Sequence, residues 1–138
     1  MITAGLTTSF KEQLLLGVHN LPVDTLKIAL YTSDAVLGPD TTVYLTTGEV
    51  SGLGYTAGGN VLTGVTVNSG LGTGYASFTN PSWAAASFTT RGALIYNASK
   101  GNKSIAVFNF GTDQTMLNQS FEIQLPTNDP ETAVIRIL

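Results

Sequence analysis

Apolar residues in this chain come in short alternating runs, and glycine, asparagine, aspartate or proline breaks nearly every run. Leu26-Lys27-Ile28-Ala29-Leu30-Tyr31-Thr32 is the clearest, with Leu26, Ile28 and Leu30 on one side. A two-residue period sends alternate side chains to opposite faces of an extended strand, so each run buries one face against a core. Frequent threonine and aromatic residues suit the same geometry.

Further strands follow from the same reading. Val43-Tyr44-Leu45-Thr46 is a weak candidate, and Val61 to Val67 is rich in β-branched residues, with Gly64 marking a bulge or a close approach of backbone. Tyr75 to Thr79 places Ala76 and Phe78 together, and Ser87 to Thr90 is a short candidate. Ala93 to Asn97 and Lys103 to Phe110 flank Ala98-Ser99-Lys100-Gly101-Asn102, a segment suited to a hairpin loop. Phe121, Ile123 and Leu125 alternate with Glu122 and Gln124, and a last strand spans Ala133 to Leu138. Roughly seven to nine strands with turn residues between them predict a mainly β fold, a β-sandwich or jelly-roll-like domain over residues 1–138.

One short N-terminal α-helix is expected over residues 9–20. Ser9 and Glu12 fit a capping box, with Ser9 as N-cap. Phe10, Leu14 and Val18 make an apolar stripe, and Asn20 and Pro22 stop the helix. Residues 1–8 carry no strong structural signal and are a candidate N-terminal arm onto a neighbouring molecule.

Composition narrows the function. The chain has 138 residues, 43% of them hydrophobic and 11% charged, with one histidine, no cysteine and a net charge of −3. A core of ordinary size is within reach without disulfides. Thiolate metal sites and disulfides are excluded. A weakly acidic chain with scattered Lys and Arg offers no footprint for nucleic acid. No apolar run approaches the length of a membrane span, and the N-terminal residues carry no signal-peptide pattern, so neither membrane nor secretion is expected. The sequons at Asn97, Asn102 and Asn118 read as chance without a secretory signal.

Groups that do chemistry are few. Gly52-Leu53-Gly54-Tyr55-Thr56-Ala57-Gly58-Gly59 has three residues where the dinucleotide fingerprint has two, and no helix signal follows it. It reads instead as a loop whose glycines supply positive φ. His19 sits where the helix is expected to end, which favours a capping role over catalysis. Asp34, Asp40, Asp113 and Asp129 lie near turn residues and read as turn formers rather than as a glycosidase pair or a calcium loop. Trp83 with Tyr31, Tyr44, Tyr55, Tyr75 and Tyr96 would make a sugar-stacking platform if exposed; burial between sheets is the stronger expectation. No catalytic, cofactor-binding or metal-ligating residue is assigned, and no cofactor is expected.

Longer motifs add a resemblance. Leu14-Leu15-Leu16-Gly17-Val18-His19-Asn20 followed by Asp24 to Ser33 resembles the opening of small virion structural proteins of tailed bacteriophages. Glu49 to Gly59, Arg91 to Asn97 and Ile105 to Gly111 resemble the same family, so the likeness covers nearly the whole chain. It implies a non-enzymatic virion protein, assembled in the host cytoplasm. A capsid decoration or cement protein on the shell of the major capsid protein is the leading expectation, as a homo-oligomer, by analogy a trimer. The rivals are a tail, neck or adaptor component and a carbohydrate-binding module of a host-recognition spike.

Overall fold

The computed structural model describes residues 1–138. In chain order the strands are β1 Gly5–Leu6, β2 Leu26–Tyr31, β3 Asn60–Val61, β4 Thr66–Gly70, β5 Thr73–Ser77, β6 Ser82–Ala86, β7 Thr89–Asn97, β8 Lys103–Thr115, β9 Gln119–Glu122 and β10 Ile135–Ile137; the single helix, α1, is Thr8–Leu15. They form a five-stranded sheet in the order β1-β8-β7-β2-β3, a three-stranded sheet β10-β5-β4 and a pair β6-β9. Every strand pair is antiparallel. The fold is mainly β and sandwich-like, as the alternating runs predict.

Alternation decides which residues face which layer. Leu26, Ile28 and Leu30 of β2 join Ala93 and Ile95 of β7 on one face of the central sheet. That face packs against Phe10 of α1 and against Ala76, Trp83, Ala86, Ile123 and Ile135 from the smaller sheets and the segments beside them. Ala29, Tyr31, Leu94, Tyr96 and Val107 point the other way, where Ile2, Ala35 and Leu37 cover them. β2, the middle of β7 and the start of β8 are therefore buried on both faces. Each fully buried aliphatic side chain there contributes about 1.5–3 kcal/mol. The β7–β8 register shifts between Ile95 and Tyr96, so both Ile105 and Ala106 reach the main core.

The hairpin loop forms as read, with a 3₁₀ turn at Ala98–Lys100 and left-handed Gly101 and Asn102 closing it. Gly64 marks the expected close approach: a Cβ there would lie 2.2 Å from Thr79 Oγ1. The run from Val61 to Val67 splits around it into β3 and β4.

Other expectations need correction. Residues 1–8 are not a free arm: Ile2 is buried and bridges Leu37, Gly5 and Leu6 pair with β8, and the Ile2 carbonyl accepts from Asn109 Nδ2. Thr7, not Ser9, is the N-cap. Its hydroxyl accepts from the Phe10 amide and from Ser104 Oγ, which ties the cap to β8. The capping-box pattern at Ser9 loses to this tertiary anchor. The helix stops at Leu15 rather than Asn20, because Gly17 takes φ +73° just beyond the Leu16 C-cap. Val43 to Thr46 makes only one bridge, Val43 to Lys103. Ser87 bridges Leu53, while Thr89 and Thr90 begin β7.

Candidate functional site

An apolar groove with a volume of about 380 Å³ lies between α1 and the β4–β5–β10 sheet. Phe10 and Leu14 of α1 line one wall, with Leu21 and Pro22 of the following turn. Val67, Ala76, Ile135 and Ile137 line the other. The pairing explains the second wall: Ile135 lies opposite Ala76 and Val67 lies opposite Ala76 from the other side. Ile137 and Gly74 extend the same face outward, and a Cβ built on Gly74 meets nothing within 4 Å. Position 74 adds no side chain to that face. No Asp, Glu, Lys or Arg lines it. Val67 and Ile137 are about half exposed at its mouth, and Leu15 and Leu16 lie exposed at the end of α1.

His19 also lines the groove, but not as a helix cap. Its Nε2–H donates to Gln13 Oε1 at 2.8 Å, and its Nδ1 accepts from Asn97 Nδ2 at 2.9 Å. The direction follows from the fully buried Asn97: its Oδ1 accepts from the Ser99 amide, and its Nδ2 also donates to Asp24 Oδ2 at 2.8 Å. Burial lowers the His19 pKa from its ordinary value; Asp24 opposes this, while Lys103 and Lys100 reinforce it. Burial works against the Asp24 charge, yet donation by the Asn20 amide and Asn97, with Lys100 at 3.7 Å, holds its carboxyl below the ordinary value. Neither histidine nitrogen contacts a serine hydroxyl or a carboxylate, so no nucleophilic triad is built here.

A second polar network lies beside β2 and joins Tyr31, Tyr44 and Tyr96, from the face that Ile2, Ala35 and Leu37 cover, to Tyr55, whose ring packs on the main core. Glu49 Oε1 accepts from Tyr44 OH at 2.7 Å; its Oε2 accepts from Tyr55 OH at 2.6 Å and from the Gly58 amide at 2.7 Å. Tyr96 OH donates to the Gly58 carbonyl at 2.6 Å, and Tyr31 OH donates to the Leu45 carbonyl at 2.6 Å. Burial first, and the Glu49 charge second, push Tyr96 up to about 12. Burial likewise raises Tyr31, Tyr44 and Tyr55, with hydrogen bonds to Glu49 adding to the rise at Tyr44 and Tyr55. These phenols stay neutral donors, and they pin residues 44–58 onto the sheet.

The remaining candidates resolve into structure. The glycine loop leads into strand β3, not a helix. Gly54, Gly58 and Gly59 do have positive φ, and close approach adds a second demand: a Cβ on Gly59 would sit 1.8 Å from the Ile28 carbonyl oxygen. Trp83 belongs to β6 and is buried against Tyr55 and Phe121; Tyr31 and Tyr96 are buried too, and Tyr44 stacks on Tyr96 with ring centres 4.8 Å apart. The rings therefore form no exposed stacking row. Asp129 is a turn former: Thr132 Oγ1 and the Glu131 and Thr132 amides donate to it, which lowers its pKa. Asp113 is not in a turn but in the irregular end of β8, paired with Arg91 at 2.8 Å. Asp34 and Asp40 are exposed. No three His, Asp or Glu side chains converge as a metal site would require, and no helix is long and apolar enough to cross a membrane.

Sequence reasoning missed the groove because Leu14, Val67 and Ile137 meet only in the folded chain; the alternation of Ile135 and Ile137 within the last strand was its one visible trace. No protein-family model, no curated protein and no solved structure matches this chain.

Proposed function

We propose that this chain is a virion structural protein that decorates and cements the shell built by a bacteriophage major capsid protein. The observation that supports this reading best is the uncharged groove between α1 and the β4–β5–β10 sheet, rimmed by half-exposed Val67 and Ile137. Exposed apolar surface beside a built cleft suits burial against another protein. The rest of the architecture suits the same role: a central sheet covered on both faces and tyrosine hydroxyls consumed in holding loops leave a rigid body with little to lose on docking.

The mechanism is linkage. A ligand that binds an assembled lattice and not its free subunits stabilises the lattice by its binding free energy. Many copies repeat the gain, and association between copies adds multivalency. With residues 1–8 folded back into the sheet, docking falls to the groove and its rim rather than to an extended arm.

Electron microscopy of the native particle tests the proposal. Hundreds of copies following the symmetry of the shell support it. A single ring of copies at a vertex or along the tail would replace it with the neck or tail reading, and absence from the particle would end both.

A further inference from the structure

The His19–Asn97 contact, with the Gln13 bond, joins α1 to the end of β7, beside the ties that Thr7 and Ser9 make to Ser104 and that Asp24 makes to Asn97 and Lys100. Gln13 holds the ring from α1, and Asn97 holds it from the end of β7, beside the hairpin loop. The ring also packs at a tilt against Phe10, with ring centres 5.0 Å apart, and, with Asn20, Leu21 and Pro22, forms one wall of the groove.

This arrangement accepts only a neutral ring. A cationic imidazole carries protons on both nitrogens. The added Nδ1 proton would face the amide protons of Asn97 across 2.9 Å. Turning the Asn97 amide would not help, because its oxygen would then face Asp24 Oδ2 and its NH₂ would face the Ser99 amide. Every alternative breaks at least one hydrogen bond of a side chain that has no exposure to water.

We propose that His19 is an acid-sensitive latch: the neutral ring clamps α1 and the Asn20–Pro22 wall to the β7–β8 hairpin, and protonation releases that clamp and loosens the groove. The facing groups are Gln13 from α1, Asp24 from the turn, Lys100 and Lys103 from the hairpin, and Tyr75 across the groove. Asp24 attracts the cation and the two lysines repel it. The lowered His19 pKa agrees with the geometry. The latch does not depend on what occupies the groove.

His19 is the only histidine, so its ring signals in an NMR titration are unambiguous. The ring is expected to titrate below its ordinary value of 6.5. The Asn97 side-chain NH₂, the Ser99 amide and the Val67 and Ile137 methyls are expected to shift with the same midpoint. A ring that titrates at or above the ordinary value overturns the latch, as do Asn97 and Ser99 signals that stay fixed through its titration. His19→Asn supplies a second readout, because its oxygen keeps an acceptor near the Nδ1 position without titrating. A folded His19→Asn protein should lose the fall in unfolding midpoint that the wild type shows between about pH 7 and about pH 5. Equal falls in the two proteins would count against the proposal.

Discussion

The central sheet and the β4–β5–β10 sheet differ in composition and in fate: β2 and the end of β7 are nearly continuous apolar runs, whereas β4 and β5 are mostly Thr, Ser, Asn and Gly. β2, β7 and the start of β8 are covered on both faces, and Ile28, Leu30, Leu94, Ile95 and Ile105 show no surface to water. β4 is exposed along most of its length, and the outer parts of β5 and β10 leave Gly74 and Ile137 open. Both sheets contain alternating strands, but only one finds enough partners within the chain. The fully buried side chains are concentrated in the first sheet, and the second leaves Val67 and Ile137 about half exposed. On the proposed function, the contrast separates what keeps the protein folded from what it offers to another molecule.

Substitutions sharpen or break that contrast. The largest effect is expected from Gly59→Ala, where backbone leaves no room for a Cβ and φ is +77°. The variant should be unfolded or insoluble; a soluble protein with an unchanged unfolding midpoint would show that the glycine loop is not pressed against β2. Next, Ile95→Ala should cost about 2–5 kcal/mol in denaturant unfolding, as buried large-to-small changes do. Val67→Ala in the exposed sheet should stay within about 0.5–1 kcal/mol of wild type, because its side chain is already half in water. Equal costs at the two positions would erase the proposed division.

Glu49 offers a finer test. Glu49→Ala strands the Gly58 amide and two phenols, and about 2–3 kcal/mol should be lost. Glu49→Gln can still accept from Tyr55 and Gly58 and can donate to Tyr44, so about 1 kcal/mol is expected. If the two variants lose the same amount, the carboxylate does not organise residues 44–58.

The smallest effects concern pH. The folded His19 pKa lies below its unfolded value, so the unfolded chain binds more protons and acid favours it. That contribution is complete above about pH 6.5 and declines as pH falls through the window below it. Asp24 is also depressed, so its contribution is present above its unfolded value of 3.8 and is lost as pH falls further. Two regions of decline should appear in a plot of unfolding midpoint against pH; Asp24→Asn should shrink the more acidic one, to which Asp129 also contributes, and move the His19 one to lower pH, because the carboxylate no longer favours the cation.

Much of the central sheet was legible because its strands alternate cleanly and its main hairpin carries its own turn residues. Leu26 to Tyr31 and the pair around Ala98–Asn102 needed only local pattern. β6 was not legible: Ser82-Trp83-Ala84-Ala85-Ala86 is poor in β-branched residues, and a bulge with Ala85 at φ +49° interrupts it. The first residues carried no signal either, since Ile2 and Thr7 gain their roles from Leu37 and Ser104, far along the chain. The same reason hid both polar networks. Gln13, His19 and Asp24 meet Asn97, and Glu49 and Tyr55 meet Tyr31 and Tyr96, only in the folded chain.

The central claim is that the exposed sheet and its groove dock onto an assembled protein lattice. Co-sedimentation of the purified protein with preformed shells of its major capsid protein, beside unassembled subunits of the same protein, tests it most directly. The account predicts saturable binding to shells, none to free subunits, and loss of binding in Val67→Asp while the unfolding midpoint stays near wild type. Equal binding to free subunits, or undiminished shell binding by Val67→Asp, would contradict it.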